Sequence, residues 1–310
     1  MHRNRDIVPH LALIAVQVMF GTWPIFGKIA LRAMSSWSLV GFRMFGAAII
    51  FVLLQRKLGE LRRLPKRVLG WLVLSSLLGL VLNQLLFVKG LSLTTVINAT
   101  LLTTTIPVFT LVVSMILGHD RGSIRHFLGI GLAAAGVVYL VDPLRSNFSS
   151  QTTLGNILVV ASSLVYGTYI AISSELFKRY GALNVVTWLF LIGAVVTLPL
   201  GCYAWTEDGL QSVTAVTWLS VIYIIVVPTV GAYYLNGWAL GRVAPSVVAV
   251  YIYLQPLLAF GLAPLLLGER WNSRTLVACG LIFAGVAVVT IRNRSQAIEE
   301  VSEHPDALAR

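Results

Sequence analysis

Long apolar runs, separated by short polar connections, follow one another along almost the whole chain. A helix needs about 20 consecutive apolar residues to cross the hydrocarbon core of a bilayer, and ten runs come near or exceed that length. We therefore predict an all-α integral membrane protein with ten transmembrane helices. The predicted spans are 8–31, 37–55, 68–88, 93–117, 124–141, 154–177, 184–204, 213–238, 244–267 and 272–291.

The two ends of the chain differ from each other. The first run contains Gln17 and Lys28, and no small-residue cleavage site follows it, so we interpret it as a transmembrane helix and not a signal peptide. The segment 292–310 mixes Glu, Ser, Asn and Arg with few apolar residues. That composition is typical of a short disordered segment, and we predict a cytoplasmic tail.

Composition narrows the class of protein further. Hydrophobic residues make up 57% and charged residues 11% of the 310 residues, whereas soluble proteins carry about 25% charged residues. Such a chain has too little polar surface to cover a water-soluble globule of this size. Cys202 and Cys279 lie within apolar runs, so neither a disulfide framework nor a metal site is indicated.

The net charge of +11 could suggest nucleic acid as a partner, but the basic residues do not form a binding face. Sixteen of the 23 lysines and arginines lie in the N-terminus, in alternate connections and in the C-terminal tail, and five lie in the other connections. Cytoplasmic segments of membrane proteins carry such an excess. We therefore predict insertion in the cell (inner or plasma) membrane, both termini in the cytoplasm, and no nucleic-acid partner.

The second half of the chain repeats the first. A shift of 149 residues aligns about 90–140 with the second half without a gap, and Pro107 then meets Pro256. A shift of 146 residues places the segment 20–22 on 166–168. Because chance matches of glycine and proline between apolar helices would not keep a constant offset over this length, we interpret the alignment as a duplication.

Each repeat contains five predicted spans, which is an odd number. The second repeat therefore enters the membrane from the side opposite to the first. We predict two inverted five-helix repeats, over 8–141 and 154–291. Inverted repeats are the architecture behind alternating access in many secondary carriers.

Several segments also resemble the motifs of a known family. "FGTWPIFGK" at 20–28, with Arg43 in the next predicted helix, is similar to the start of an EamA domain. "VINATLLTTTIPVF" followed by "LGHDR", and "SVVAVYIYLQPLLA" followed by "LLLGER", are similar to its later parts. The chain thus resembles the drug/metabolite transporter superfamily, EamA type, over about 8–291.

The resemblance implies ten helices and an exporter or facilitator of small metabolites, often amino acids, amines or related compounds. It does not name the substrate. One motif differs between the repeats, because the first has His119-Asp120-Arg121 where the second has Gly268-Glu269-Arg270. The acidic and basic pair is preserved there, but its surroundings change.

Proline near the middle of two repeat-related spans points to a central cavity. Pro107 and Pro256 each free a carbonyl and bend their helices, and such breaks are tolerated where protein or a water-filled cavity surrounds them. We predict both prolines as hinges and Thr104, Tyr251 and Gln255, just before them, as substrate-binding residues. The alternative is that the threonines bond back to their own helix and the prolines only curve it.

The first predicted helix has one polar face. Gln17, Gly21, Pro24 and Lys28 are spaced by four, three and four residues, which places them on one side of a helix. We predict that Gln17, and Ser163 at the repeat-related position, line the cavity and that Pro24 is a further hinge. Close helix packing through small residues is the alternative.

Lys28 and Arg43 are the basic residues that fall within predicted spans, both in the outer half. An ionisable residue inside the membrane is by default a candidate for function, so we predict that one of them attracts a carboxylate or another anion of the substrate. The alternative is that Lys28, one turn from its helix end, reaches the outer surface with its ammonium group. Arg43 lies deeper and could do so less easily.

No Asp or Glu lies in the middle of a predicted span, and all five histidines lie at ends, loops or tails. Proton-driven carriers commonly use such groups, so downhill facilitation or exchange is the simpler expectation. The sequence has no phosphate-binding loop and no zinc or nucleophile motif. We therefore expect no ATP drive, no cofactor, no metal and no catalytic residue.

These observations favour a secondary transporter of small metabolites by alternating access. A flippase for lipids or lipid-linked head groups is the alternative within the same fold, with a lateral opening and Arg43 as its head-group site. An integral-membrane enzyme is a further alternative, which the absence of buried acid, base or nucleophile pairs argues against. Small residues at Gly131, Ala135, Gly280 and Ala284 would suit packing within one chain or a homodimer.

Overall fold

The computed structural model describes residues 3–58, 64–117, 124–141, 151–208, 213–243, 245–270 and 272–290. Every regular element in these ranges is a helix, as the hydrophobic pattern predicts. The predicted tail 292–310 lies outside them. The α-helices are α1 (Arg3–Ala30), α2 (Ser36–Leu58), α3 (Lys66–Ser76), α4 (Asn83–Leu93), α5 (Val96–Thr103), α6 (Ile106–Ile116), α7 (Ile124–Val141), α8 (Gln151–Tyr180), α9 (Ala182–Glu207), α10 (Ala215–Ile224), α11 (Ala232–Leu240), α12 (Pro245–Val250), α13 (Leu254–Leu267) and α14 (Ser273–Thr290).

Ten helical spans can be followed in the described part of the chain. Eight are long and apolar enough to cross a membrane, and two shorter apolar helices, Phe127–Leu140 and Ser273–Gly285, correspond to the fifth and tenth predicted spans. The third, fourth, eighth and ninth spans each consist of two α-helices. The hydrophobic pattern thus located all ten, but of the four interruptions the sequence indicated only those at Pro107 and Pro256.

The fourth and ninth spans are interrupted just before their prolines. In the fourth, α5 ends at Thr103 and α6 begins at Ile106, so that Pro107 lies in the first turn of α6. In the ninth, a 3₁₀ turn at Tyr251–Tyr253 precedes α13, whose first turn contains Pro256. Proline is tolerated in a first turn, where its missing N–H leaves no hydrogen bond unmade.

The third and eighth spans contain π-helical segments, Leu77–Leu82 and Ile225–Gly231, where the sequence predicts unbroken helices. They lie at repeat-related positions. In the eighth span Pro228 lacks the N–H of a regular turn, and the Thr229 hydroxyl donates to the Ile224 carbonyl at 2.7 Å. In the third span Gly79 lies against the Tyr169 ring, and a Cβ there would be 2.5 Å from the ring.

The two repeats pack with approximate twofold symmetry. Helix α1 packs on α13 and α11, and its counterpart α8 packs on α6 and α4, the repeat-related partners. Helix α2 packs on its own counterpart α9, and α7 packs on α14. The structure therefore consists of two inverted five-helix repeats whose interface runs through the centre of the bundle, and that interface positions the candidate site.

Small residues bring α7 and α14 into close contact within one chain. A Cβ at Gly285 would lie 2.5 Å from the Ala133 nitrogen, and one at Gly136 would lie 2.7 Å from the Ile282 side chain. Gly131 and Gly280, in contrast, have no such neighbour within 4 Å. Packing within the chain thus uses the neighbouring small residues, and the homodimer stays a prediction.

Candidate functional site

A cavity lies at the centre of the bundle, where the two repeats meet. Residues from the first, second, third, fourth, sixth, eighth and ninth spans form its wall. The polar side chains Gln17, Arg43, Gln84 and Gln255 converge on it from four helices, and none is more than 8% exposed. Because amide and guanidinium groups are costly to bury without hydrogen bonds, this convergence marks a polar site inside an apolar bundle.

Some repeat-related positions in the cavity wall carry different chemistry. Gln84 and Tyr233 are 149 residues apart, and the Gln84 amide donates to the Tyr233 hydroxyl at 2.9 Å. Phe20 and Tyr166, which the shift of 146 residues relates, also line the cavity. The cavity is therefore approximately symmetric in its backbone and asymmetric in its side chains, so a bound molecule meets two different walls.

Gln17 and Gln255, both predicted from the sequence, meet at the cavity wall. Gln255 Nε2 donates to Gln17 Oε1 at 2.6 Å and so links α1 to α13. Gln17 Nε2 has no hydrogen-bond partner among the described residues, although the residue is only 1% exposed. A buried donor without an acceptor is costly, and Gln17 lines the cavity, where a bound molecule can accept this hydrogen bond.

Arg43 also lines the cavity and is held there by neutral groups. Its Nε donates to the Thr229 hydroxyl at 2.5 Å, and its Nη1 donates to Gln84 Oε1. Its guanidinium carbon lies 4.1 Å from the centroid of the Trp23 ring, a cation–π contact. The side chain is buried inside the bundle, so the alternative in which Arg43 reaches the outer surface is wrong for this conformation.

The network around Arg43 continues across the repeat interface. Gln84 Nε2 also donates to Asn83 Oδ1 at 2.8 Å, and Asn83 Nδ2 donates to the Ser162 carbonyl of α8 at 3.1 Å. Gln84 follows the first π-helical segment and Thr229 belongs to the second. The two local irregularities thus place the two hydrogen-bond partners of Arg43.

Thr104 and Ser163 were predicted to line the cavity, but their neighbours Thr103 and Ser162 do so instead. The Thr104 hydroxyl donates to the Leu101 carbonyl at 2.6 Å, and the Ser163 hydroxyl donates to the carbonyl of its own helix four residues earlier at 3.0 Å. Both errors amount to one residue, or about 100° around a helix. The threonines do bond back to their helix, as the alternative stated.

Lys28 lies at the end of α1, away from the cavity. Its ammonium group donates to the carbonyls of Leu91 and Thr94 at 2.8 and 2.5 Å, and to that of Ser92 at 3.4 Å. These carbonyls are at the C-terminal end of α4, where no further helical N–H reaches them. The structure therefore shows Lys28 as a helix cap, which corrects its prediction as a substrate ligand.

Tyr251 also lies outside the cavity wall. Its hydroxyl is 2.7 Å from Nδ1 of His10 on α1. The 3₁₀ turn at Tyr251–Tyr253 changes the angle between successive residues, so Tyr251 no longer shares a face with Gln255. Of the predicted hinges, Pro24 lines the cavity from within the continuous helix α1, whereas Pro107 and Pro256 mark interrupted spans.

Sequence reasoning missed Asn83, Gln84, Thr229 and Asn236. Three of them line the cavity, and Thr229 holds Arg43. A signal was present in the third span, where the adjacent amides of Asn83 and Gln84 interrupt an otherwise apolar run.

A bundle of ten membrane spans, built from two repeats with a polar cavity between them, defines a class of protein, the membrane transporters. No group of three His, Cys, Asp or Glu side chains that could hold a metal ion occurs in the described ranges. Residues 8–141 and 153–291 each match the EamA-like transporter family. The chain therefore belongs to this family of transporters, and its activity is transport and not catalysis.

Individual relatives agree with this assignment. An uncharacterized transporter of Archaeoglobus fulgidus is 26% identical over 91% of this chain and 97% of its own length. A probable terminal-alkyne amino-acid exporter of Streptantibioticus cattleyicolor is 25% identical over 63% of this chain and 64% of its own. A protein of known crystal structure has the same fold, with a TM-score of 0.67, 20% identity, and coverage of 92% of this chain and 98% of that one.

Proposed function

We propose that this transporter is a secondary carrier that exports, or lets out downhill, small water-soluble metabolites such as amino acids or related compounds. The observation that carries the proposal is the central cavity, whose polar side chains Gln17, Arg43, Gln84 and Gln255 come from both repeats. A molecule bound by both repeats can leave when the repeats move apart, because one repeat then no longer contacts it. Rocking of the repeats around a fixed site is the simplest cycle for such a cavity.

The interruptions in the fourth and ninth spans are the points at which we expect the two repeats to bend. Gln255 follows the 3₁₀ turn of the ninth span, and Thr103 is the last residue of α5 in the fourth. Both line the cavity. We infer that Pro107 and Pro256 act as hinges, since a broken helix can change direction without losing a continuous ladder of hydrogen bonds.

The nature of the cavity wall favours a water-soluble substrate over a lipid. Five side-chain amides and a guanidinium group line one cavity, whereas a lipid path requires an apolar lining open to the bilayer. The relative from Streptantibioticus cattleyicolor is named a probable terminal-alkyne amino-acid exporter, which also favours a water-soluble substrate. We take amino acids and related compounds as the first substances to test.

We also propose insertion in the cell membrane with both termini in the cytoplasm. The basic residues Arg56 and Lys57 at the end of α2, and Lys178 and Arg179 at the end of α8, lie at helix ends that this orientation places inside. A reporter fused to the C-terminus, active only in the cytoplasm, tests the orientation. Activity of a periplasmic or extracellular reporter at that position would contradict it.

Efflux from proteoliposomes tests the transport proposal. Vesicles containing the purified protein are loaded with labelled amino acids and related metabolites, with and without a pH gradient, and efflux is compared with protein-free vesicles. We expect Gln255→Leu to lower the efflux rate by about tenfold, because it removes a cavity amide and leaves Gln17 without its partner. Gln151→Leu, the same exchange at an exposed position, should not change the rate.

If no compound leaves faster than from protein-free vesicles, the proposed class of substrate is refuted. If efflux of the active compound is equal in the Gln255→Leu variant and the wild type, the cavity is not the transport site. Efflux that needs the pH gradient would replace facilitation by proton coupling.

A further inference from the structure

The charge of the cavity is unbalanced. Arg43 is 1% exposed, and among the described residues no carboxylate lies within ion-pair distance of it. Of the described acids, Asp208 and Glu269 are at helix ends, where they accept hydrogen bonds from the backbone N–H groups of Ser35 and of Val96 and Ile97. Glu175 and Glu207 lie near the C-terminal ends of α8 and α9. The sequence has no Asp or Glu in the middle of a predicted span.

The groups that contact Arg43 accept only some of the hydrogen bonds that its guanidinium group can donate. None of these groups carries a negative charge that would balance the guanidinium ion. The Gln84 amide oxygen and the Thr229 hydroxyl each accept one hydrogen bond, and the Trp23 ring faces the guanidinium group. The Nη2 amino group has no partner among the described residues. A buried guanidinium ion is stabilised best by a negative charge with two oxygens, which matches its planar geometry.

The rest of the cavity suits an uncharged body. Phe20, Tyr166, Ile170, Val248 and Ile252 provide aromatic and aliphatic surface, and the remaining polar groups are amides and hydroxyls. An ammonium group in the cavity would meet no described carboxylate and would be repelled by Arg43. The cavity thus complements one negative charge next to an apolar or weakly polar body.

We propose that the substrates are organic monocarboxylates of net charge −1, bound with the carboxylate on Arg43 and the carbon skeleton against the aromatic wall. This inference rests on the proposed transport function and moves its preferred substrates from amino acids to related carboxylates that lack an ammonium group. The inference predicts that the affinity of ligands with the same carbon skeleton depends on their charge. The carboxylate binds best, the α-amino acid with its added ammonium group is weaker, the neutral amide is weaker again, and the amine is not bound.

Binding to the purified full-length protein tests the ranking. The probes are matched sets on one skeleton, such as 3-phenylpropanoate, phenylalanine, 3-phenylpropanamide and 3-phenylpropylamine, with smaller aliphatic and larger indolyl sets beside them. Thermal unfolding in detergent is measured over a concentration series of each. We expect at least one carboxylate to raise the unfolding temperature with an affinity about tenfold or more above its amide, since a charge-assisted pair replaces a neutral one.

Three variants identify the group responsible. Arg43→Gln should bind the carboxylate no better than the amide, whereas Arg43→Lys, which keeps the charge but loses the planar fork, should retain part of the preference. Arg56→Gln removes a charge from the exposed end of the same helix and should leave the ranking unchanged. If Arg43→Gln does not fold, the comparison of Arg43→Lys with Arg56→Gln still decides, because only Arg43→Lys should weaken the carboxylate.

The inference is overturned if no carboxylate stabilises the protein, or if amides or amines stabilise it as well as carboxylates do. It is also overturned if the preference survives in Arg43→Gln. These outcomes are separable from failure of the proposed function. Protein-dependent efflux of a neutral or cationic compound would retain the carrier and refute the substrate class, whereas no efflux of any compound would refute both.

Discussion

Glu269 joins the two repeats at the end of the bundle that our orientation places outside the cell. Its two carboxylate oxygens accept hydrogen bonds from Val96 N at 2.7 Å and Ile97 N at 3.0 Å, the first residues of α5. These N–H groups have no partner within their own helix. Lys28, which caps the end of α4 next to them, attracts the same carboxylate. We predict that this contact keeps the outer end of the cavity closed.

The size of the effect follows from the bonds that Glu269→Ala removes. Two charge-assisted hydrogen bonds are lost, each about 1.5–3 kcal/mol when buried. Glu269 is partly exposed, so solvent screening reduces their sum to about 2 kcal/mol. Since about 1.4 kcal/mol corresponds to a factor of ten, the outward-open population should rise by about 30-fold. Glu269→Gln, which keeps one acceptor oxygen, should give a smaller rise.

Cysteine labelling measures this population. Cys202 and Cys279 are replaced by serine, Ile106 of the cavity wall is replaced by cysteine, and an impermeant thiol reagent is added from outside. We expect faster labelling of the cavity cysteine in Glu269→Ala. The exposed acid Glu207, changed to Gln, is the matched control and should have no effect. Equal labelling rates in Glu269→Ala and the parent would refute the closing role of the contact.

Three further predictions concern stability. Gln17→Leu and Gln255→Leu should each lower the free energy of unfolding, and the double variant should show a coupling of about 1 kcal/mol in a double-mutant cycle; additivity would mean that their 2.6 Å bond contributes nothing. Gly79→Ala should destabilise by about 1–3 kcal/mol, because its Cβ would meet the Tyr169 ring, whereas Gly70→Ala, with no neighbour within 4 Å, should not. Lys28→Gln should lower the unfolding temperature without changing which ligands stabilise the protein, since it removes a helix cap. A changed ranking of ligands would mean that Lys28 does take part in substrate binding.

The transmembrane spans and the duplication were predictable from the sequence, because they depend on the hydrophobicity and the order of residues along the chain. The ten spans follow from runs of apolar residues, and the duplication follows from the offset that relates Pro107 to Pro256. The position of Gln17 inside the bundle also follows, because lipid offers a polar group no hydrogen-bond partner. These arguments need no knowledge of which helix lies next to which.

Which residue of each helical turn lines the cavity depends on local backbone geometry, and the sequence pattern does not predict that geometry. Thr103 lines the cavity in place of Thr104, and Ser162 in place of Ser163, because a rotation of one residue changes the face of a helix. Tyr251 turns to His10 because a 3₁₀ turn changes the rotation per residue. Regular helical spacing therefore selects the correct turn of a helix but not always the correct residue.

Tertiary structure alone decided what the charged residues do. From the sequence Lys28 and Arg43 were two basic residues in the outer half of neighbouring spans, with the same two interpretations. In the fold Lys28 meets the carbonyls that end α4, whereas Arg43 meets Gln84 and Thr229, each placed by a π-helical segment of a different repeat. Hydrophobicity determines which segments enter the membrane, but the partners of a buried charge are set by contacts between residues far apart in the chain.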